Sequence, residues 1–520
     1  MTKLSEESDR VGSESAIRPA RLSLRMLRLY RVCDGFSGNL IYFMVVTGPW
    51  LFGTTRDWTI QFMDIVGLAL GAMFLLKLMI RVWTGYRNSR WDERDRHSAN
   101  HDNEAMQGRR FVNRSLAALT VLILGFCLTS VINASAKLDP ETKNFQYYRH
   151  LAWLPSSHDQ TASWQAFWTY LALAGFFWAL HDWLVAKDTV EERAGRANDG
   201  DFSGSWGRLM PERLRRLLWI VSISGGLLGV ESIAQRLSGT NNILFFWPPL
   251  LQQHADAEFG PYAYRSNGAQ YFNLIWPLTL GFWWTMHRET RRRSKSSRFA
   301  RHHLVLVAAM VMAACPIIAT TRAGTAVDLV MMAAAVVILL TAQRKGDVRA
   351  RLKIVGGLLL TLGLASLFGW QAMERRLEPG SFDEGLAGRN SIYQIAGRMA
   401  DDFPLFGSGP GTFHSLYRFY QDAEEDFTVV NLHNDWLETL ITFGYAGSVL
   451  VALAFLTVLL RWFIPGGVQA GIRLVSLIWL ALAGCLAHAR YDFPLQIHSV
   501  LAAFLLLCGI LFSVSQSSAH

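Results

Sequence analysis

The chain is 520 residues long, 51% of them apolar, with a formal net charge of +9 at pH 7. A soluble protein of this length would divide into several domains, but here the apolar residues gather into runs of about the length that crosses a bilayer, which points to one all-α integral membrane bundle. The basic residues fall in short blocks beside those runs rather than in one patch, which excludes a nucleic-acid partner and fits anchoring charge at one membrane face.

Residues 1–36 form a polar, basic segment with Arg18, Arg21, Arg25, Arg28 and Arg31 at near-helical spacing. The apolar run after it has no small-residue cleavage site, so the segment reads as a cytoplasmic lead into a retained helix. Apolar runs follow near 38–55, 60–83, 114–134, 164–186, 215–237, 270–287, 303–321, 324–342, 354–373, 436–460, 474–489 and 496–515. They predict a bundle of about 12 transmembrane helices: nine in 37–373, a long periplasmic loop over 374–435, and three more in 436–520. Strict alternation from a cytoplasmic N-terminus puts 36 of the 50 Lys and Arg on the inner side, as the positive-inside rule requires, and returns the C-terminus to the cytoplasm. The five cysteines, Cys33, Cys127, Cys315, Cys485 and Cys508, lie in or beside apolar runs without metal-ligand spacing and read as packing residues.

The informative segments fall on the outer side. Arg322 sits in the tight turn Thr320-Thr-Arg-Ala-Gly324 between two runs barely long enough to span. A guanidinium so close to hydrocarbon is expensive unless it is paired or reaches water, so it is a functional candidate, with snorkelling or a pair with Asp328 as the bland alternative. Arg265, in Tyr262-Ala-Tyr-Arg-Ser-Asn-Gly-Ala-Gln270, reads equally as an interfacial anchor or an outward-facing ligand group. Arg389 opens an amphipathic helix with Ile392, Ile395, Ala396 and Met399 on one side. Arg398 and Arg418 are weaker candidates, because the same loop carries ten acidic residues between Glu374 and Asp426. Arginines converging on one site would suit a diphosphate, which the planar fork binds bidentately.

His433 is the candidate general base. It precedes Asp435-Trp-Leu-Glu438, which reads as a capping box opening the run to Leu460, so His433 should lie at the membrane surface just outside a helix N-terminus. Phe406-Gly-Ser-Gly-Pro-Gly-Thr-Phe413 is a poor phosphate loop, since no Lys-Ser/Thr follows it. It reads as a tight glycine bend that returns the segment around Arg389 toward His433. No spacing in the chain calls for a metal or a cofactor.

Together these pieces resemble the family of O-antigen ligases and polymerases, bacterial membrane glycosyltransferases. The resemblance is carried by Arg265-Ser-Asn-Gly-Ala, Thr321-Arg-Ala-Gly324, Arg389-Asn-Ser-Ile-Tyr393, the glycine bend, and Leu432-His-Asn-Asp-Trp-Leu-Glu438 with Gly444 and Gly447 after it. The family usually has serine where this chain has Thr321. The resemblance implies a protein of the bacterial inner membrane that transfers a glycan from an undecaprenyl-pyrophosphate carrier to an acceptor on the periplasmic face, either a growing glycan or lipid A core. It also implies that Arg265, Arg322 and Arg389 bind the pyrophosphate, that His433 takes the acceptor's proton, that membrane lipid surrounds the polyprenyl tail, and that the outer loop forms a lid. A multi-span transporter or flippase for an anionic or lipid-linked solute is the alternative; it would need charges at mid-membrane in several spans.

Overall fold

The structure is a computed structural model that describes residues 24–86, 89–91, 102–139, 141–142, 144–187, 210–248, 257–293, 301–341, 355–363, 365, 367, 379–421, 430–464 and 468–515. Arg18, Arg21, much of the expected span 354–373, and parts of the expected outer loop lie outside the described residues.

Helices dominate. Before the long loop come α1 (Leu24–Trp50), α2 (Asp57–Thr84), α3 (Asp102–Ile132), α4 (Gln160–Val185), α5 (Glu212–Ser238), α6 (Arg265–Arg293), α7 (His302–Ile318) and α8 (Arg322–Leu340). The loop region holds α9 (Pro379–Asp402) and α10 (Phe413–Tyr420), and α11 (Asp435–Arg461), α12 (Ile472–His488) and α13 (His498–Ser513) complete the bundle. A small antiparallel hairpin pairs β1 (Ala136–Leu138) with β2 (Phe145–Tyr147), Ala136 opposite Tyr147, and β3 (Val468–Gln469) pairs in parallel with β4 (Val514–Ser515).

Among the described residues, five helices are by length and composition able to cross a membrane: α2, residues 107–132 of α3, α5, α8 and α11. The chain is therefore a helical membrane protein. The expectation of twelve spans rests on apolar runs that make less uniform helices. α7, α12 and α13 are apolar but only 17, 17 and 16 residues long. α6 buries Asn267, Gln270 and Asn273 against neighbouring helices, so its polar side chains break the apolar run without being exposed. α1 begins at Leu24, inside the segment expected to precede the first span, and takes up Arg25, Arg28 and Arg31.

Small residues and buried charge set the packing. α2 and α4 approach so closely that a methyl group on Gly67 would lie 2.6 Å from the Ala172 carbonyl oxygen, and one on Gly175 would lie 2.7 Å from that of Gly67. Close backbone approach through small residues is how helices associate where no hydrophobic drive separates helix from lipid. At the end remote from the N-terminus of α6, Lys77 is fully buried between Asp34, 3.0 Å away, and Asp182, 2.8 Å away. Arg81 and Arg213 extend the cluster, at 2.7 Å from Asp182 and Asp34 respectively. It ties α1, α2, α4 and α5 together, and removing one partner would leave an uncompensated buried charge. All five cysteines are free and buried.

The decisive local feature is a break in α11. Gly444 has φ 60° and ψ −171°, outside any helical conformation. The break frees peptide groups at membrane depth, and those groups must find partners inside the protein. The glycine bend supplies them. Ser408 N–H donates to the Ile441 carbonyl at 2.8 Å and Gly409 N–H to Thr442 at 3.1 Å, while Tyr445 and Ala446 N–H donate to the carbonyls of Pro404 and Leu405 at 2.8 and 3.0 Å. Gly407, Gly409 and Gly411 all have positive φ, as the bend requires. A methyl group on Gly444 would come within 2.5 Å of the Leu405 carbonyl oxygen.

The bend in turn anchors a folded cap. Ile392, Ile395, Ala396 and Met399 of α9 pack with Phe413, Leu416 and Tyr417 of α10 and with Leu432 and Ile441. The expected apolar stripe of α9 is thus buried, although the helix starts at Pro379, ten residues before Arg389. The Phe145 ring of the hairpin lies tilted against that of Phe419, with centroids 5.0 Å apart, and closes the cap from the side. Gly444→Ala should cost about 2–5 kcal/mol through backbone strain and the clash with Leu405. Gly35→Ala, in a helix with nothing within 4 Å of the added methyl group, should not lower stability. Thermal unfolding of the detergent-purified chain checks both, and equal midpoints for Gly444→Ala and wild type would remove the role given to the break.

Candidate functional site

The four residues singled out by sequence lie at the end of the bundle where α6, α8 and α11 begin. His433 is the residue before Asn434, the N-cap of α11. The cap differs from the expected box. The Asn434 side chain accepts from Leu437 N–H at 3.3 Å, which moves the cap one residue back from Asp435. Glu438 instead accepts from Leu432 N–H at 2.7 Å, and Asp435 accepts from Leu495 N–H at 2.8 Å. The reason is tertiary: the Asp435 N–H donates to the Ala489 carbonyl at 2.8 Å, so residues 432–435 are clamped to the turn between α12 and α13.

That turn carries the residue the sequence reading passed over. Asp492 Oδ1 lies 2.9 Å from His433 Nδ1, with the His433 side chain 26% exposed and that of Asp492 only 5%. Burial opposes ionisation of Asp492, but the hydrogen bond and charge of His433, the charge of His488 and the hydroxyl of Ser266 together hold its carboxyl below its ordinary value. An ionised carboxylate only accepts, so Nδ1 of His433 carries the hydrogen, and in the neutral ring Nε2 is left with its lone pair. Ser266 also hydrogen-bonds Asp492 Oδ2, and its Oγ lies 3.3 Å from His488 Nε2. The His433 ring packs edge-on against Phe493 and Tyr264, at 5.0 and 6.0 Å between centroids, and those two rings stack on each other at 5.4 Å. Tyr393 donates to the His433 carbonyl at 2.5 Å, which brings α9 to the histidine.

Arg265 and Arg389 share this neighbourhood. Burial and the charge of Asp492 push the Tyr264 phenol above its ordinary value, and the guanidinium groups of Arg389 and Arg265 pull against that. Tyr393 responds likewise, raised by burial and opposed by Arg389 and Arg490. Arg490, exposed beside Tyr491, is a further cation the sequence reading did not single out. Arg322 is placed one helix over. It is the first residue of α8, whose first turn packs on α6 and α12: a methyl group on Gly324 would lie 3.1 Å from Ala269 Cβ and 3.4 Å from His488 Cε1. Asp328 does not take the role expected of it; it accepts from Trp276 Nε1 at 2.9 Å. Thus Arg265, Arg389 and His433 meet around Tyr264 and Asp492, and Arg322 opens the neighbouring helix two residues before the Gly324 that packs against His488. Arg398 points elsewhere, donating to the Tyr420 carbonyl at 3.4 Å.

Two backbone features hold the arginines in place. Thr320 has φ 56°, a strained position for a β-branched residue, and Arg236 secures it by donating to the Ala319 carbonyl at 3.1 Å and to Thr320 Oγ1 at 3.3 Å. Arg265 N–H donates to the Ala257 carbonyl at 2.7 Å, closing the loop that enters α6. Asp492 could have been suspected from sequence as the one carboxylate in Arg490-Tyr-Asp-Phe-Pro494, a turn between two apolar runs. Nothing local connects it with His433, 59 positions earlier. Among the described residues no group of His, Cys, Asp and Glu is arranged to hold a metal ion.

Beside the Arg265 loop, Glu258 is 2% exposed and, among the described residues, neither of its carboxyl oxygens has a hydrogen-bond partner. Burial pushes its pKa up to about 7, against the opposing charge of Arg236. Its folded pKa is above the ordinary value of 4.5, so stability falls as pH rises from there to about 7. Glu258→Gln should therefore raise the unfolding midpoint over wild type at pH 8 and barely change it at pH 5. A difference independent of pH would contradict this burial.

No curated protein matches the chain. Residues 307–452, from α7 through the glycine bend and His433 into α11, match the family model described as O-antigen ligase. Over those residues, rather more than a quarter of its length, the chain is similar to the O-antigen ligase family.

Proposed function

We propose that this protein is a membrane glycosyltransferase that moves a glycan from an undecaprenyl-pyrophosphate carrier to an acceptor hydroxyl, as an O-antigen ligase or surface-polysaccharide polymerase. The observation that carries the reading is the convergence of Arg265, Arg389 and the Asp492-oriented His433 around Tyr264, with Arg322 at the adjoining helix N-terminus. The lopsided Lys and Arg distribution supports placing this end at the periplasmic face of the bacterial inner membrane, with both termini cytoplasmic.

In this mechanism, His433 Nε2 takes the proton of the acceptor hydroxyl as its oxygen attacks the anomeric carbon of the donor sugar. The bond from that carbon to the diphosphate oxygen breaks, and the electron pair leaves on the carrier diphosphate. Arg265, Arg322 and Arg389 neutralise the growing charge on its oxygens, which is where electrostatic stabilisation counts most. Asp492 keeps the His433 ring in the tautomer that accepts at Nε2 and stabilises the imidazolium once it forms. The cap built from α9 and α10 supports the role of a lid, because it brings Arg389 and Tyr393 to the histidine. The acceptor is the end of a growing glycan or the lipid A core.

Reconstituted full-length protein, supplied with polyprenyl-pyrophosphate glycan and acceptor, tests this. His433→Ala should lower the rate about 10²–10⁴-fold, the usual range for a lost general base. Asp492→Asn should lower kcat about 10²-fold while leaving KM for the donor within about twofold, since it acts through the histidine rather than on the diphosphate. Full transfer by both variants, each correctly inserted, would refute the mechanism; loss through KM alone in Asp492→Asn would reassign that residue to donor binding.

A further inference from the structure

The chain that leaves α5 folds at once into a tight knuckle over residues 242–247. The N–H groups of Ile243, Phe245, Phe246 and Trp247 donate to the carbonyls of Trp247, Asn242, Ile243 and Ile243, at 2.8, 3.2, 3.3 and 3.0 Å. The Asn242 side chain closes the knuckle further by donating to the Phe245 carbonyl at 3.4 Å. This closure holds Leu244 and Phe245 at φ 51° and 68°, in the left-handed region that residues other than glycine rarely adopt. What the knuckle presents is apolar: Phe246 is 81% exposed and Trp247 52%. No Asp, Glu, Lys or Arg occurs from Leu237 through Pro248.

A loop made for water does the reverse, leaving peptide groups to solvent and turning polar side chains outward. A backbone that satisfies itself while its large apolar side chains point out is what a bilayer demands. The position agrees. Trp247 meets the Phe52 ring edge-on at 5.8 Å, and Phe52 meets Trp58, also 52% exposed, at 6.1 Å. Phe52 and Thr54, across that contact, have positive φ as well. Trp58 is the second residue of α2 and the knuckle begins four residues after the end of α5, so the aromatic patch lies where two helices able to cross a membrane end. Tryptophan is enriched at that boundary. The Arg56 guanidinium, 4.2 Å over the Phe52 ring, sets a cation beside the patch, where lipid phosphates would meet it.

We infer that the knuckle is a membrane anchor, which inserts Phe246 and Trp247, with Trp58 beside them, among the headgroups and first acyl carbons of the adjacent lipid leaflet. The anchor is coupled to the segment that enters α6. Gln235, 2% exposed, donates from Nε2 to the Asn242 carbonyl at 3.0 Å and accepts from the Gly260 N–H at 2.6 Å, and across the patch Gly53 packs on the Tyr262 ring. The lipid surface thereby fixes the height of the loop that carries Tyr264 and Arg265, whether or not glycan transfer is the reaction.

All five native cysteines are buried, so a nitroxide reagent applied to the folded full chain in vesicles of phosphatidylglycerol and phosphatidylethanolamine marks Phe246→Cys alone. Electron paramagnetic resonance then reads the label's collisions with oxygen, which concentrates in lipid, and with a nickel chelate, which stays in water. Their ratio should place the label about 5–10 Å below the lipid phosphates. Trp58→Cys, at the edge of the patch, should also read inside the leaflet and serves if Phe246→Cys does not fold. A label that collides with the chelate as freely as the unattached reagent does in buffer would overturn the inference. So would dipolar broadening that disappears on dilution with unlabelled chain, which would assign the patch to a second copy. Shielding from the chelate that appears only when a soluble glycan is added would overturn it too, and would assign the patch to a sugar.

Discussion

A helix that breaks inside a membrane protein must return every freed peptide group to a partner, and here the break of α11 at Gly444 is answered by the glycine bend of residues 404–409. The rest of the site follows from that exchange of backbone hydrogen bonds. It fixes the bend, the bend fixes α10, and the apolar cluster shared by α9, α10 and α11 fixes the face of α9 that carries Arg389 and Tyr393. On the other side, the start of α11 is clamped to the α12–α13 turn through Asp435, which sets Asp492 against His433. Residues 379–421 are thereby a packed support for the site rather than an extended loop.

Charge is distributed in two ways that serve different ends of the bundle. Lys77, Arg81 and Arg213 are closed off against Asp34 and Asp182, an arrangement that holds helices together. At the other end Arg265, Arg389 and Arg490 act on Tyr264 and Tyr393 at the margin of the structure, where a polyanionic group could reach them. The second arrangement suits recognition of a diphosphate because guanidinium groups keep their charge and offer paired donors.

Much of this was legible in the sequence where the signal is local. The apolar stripe of α9, the positive φ of Gly407, Gly409 and Gly411, and the burial of the five cysteines follow from spacing and residue type. What was not legible depends on partners distant in sequence. Asp435 reads as an N-cap in isolation, but its N–H and its carboxylate are both taken by the α12–α13 turn, so Asn434 caps the helix. Asp492 gains its meaning only from that same clamp. The number of spans is obscured for a related reason: α6 hides its Asn and Gln side chains against neighbours, so apolarity along the chain does not delimit it.

The central claim is that Arg265, Arg322 and Arg389 form a diphosphate site next to His433. Equilibrium binding of undecaprenyl pyrophosphate itself, the released carrier, tests this without any chemistry. The account predicts that Arg389→Gln weakens binding by about tenfold or more while undecaprenol, which lacks the diphosphate, binds wild type and variant alike. Equal affinity of wild type and variant for the pyrophosphate would contradict it.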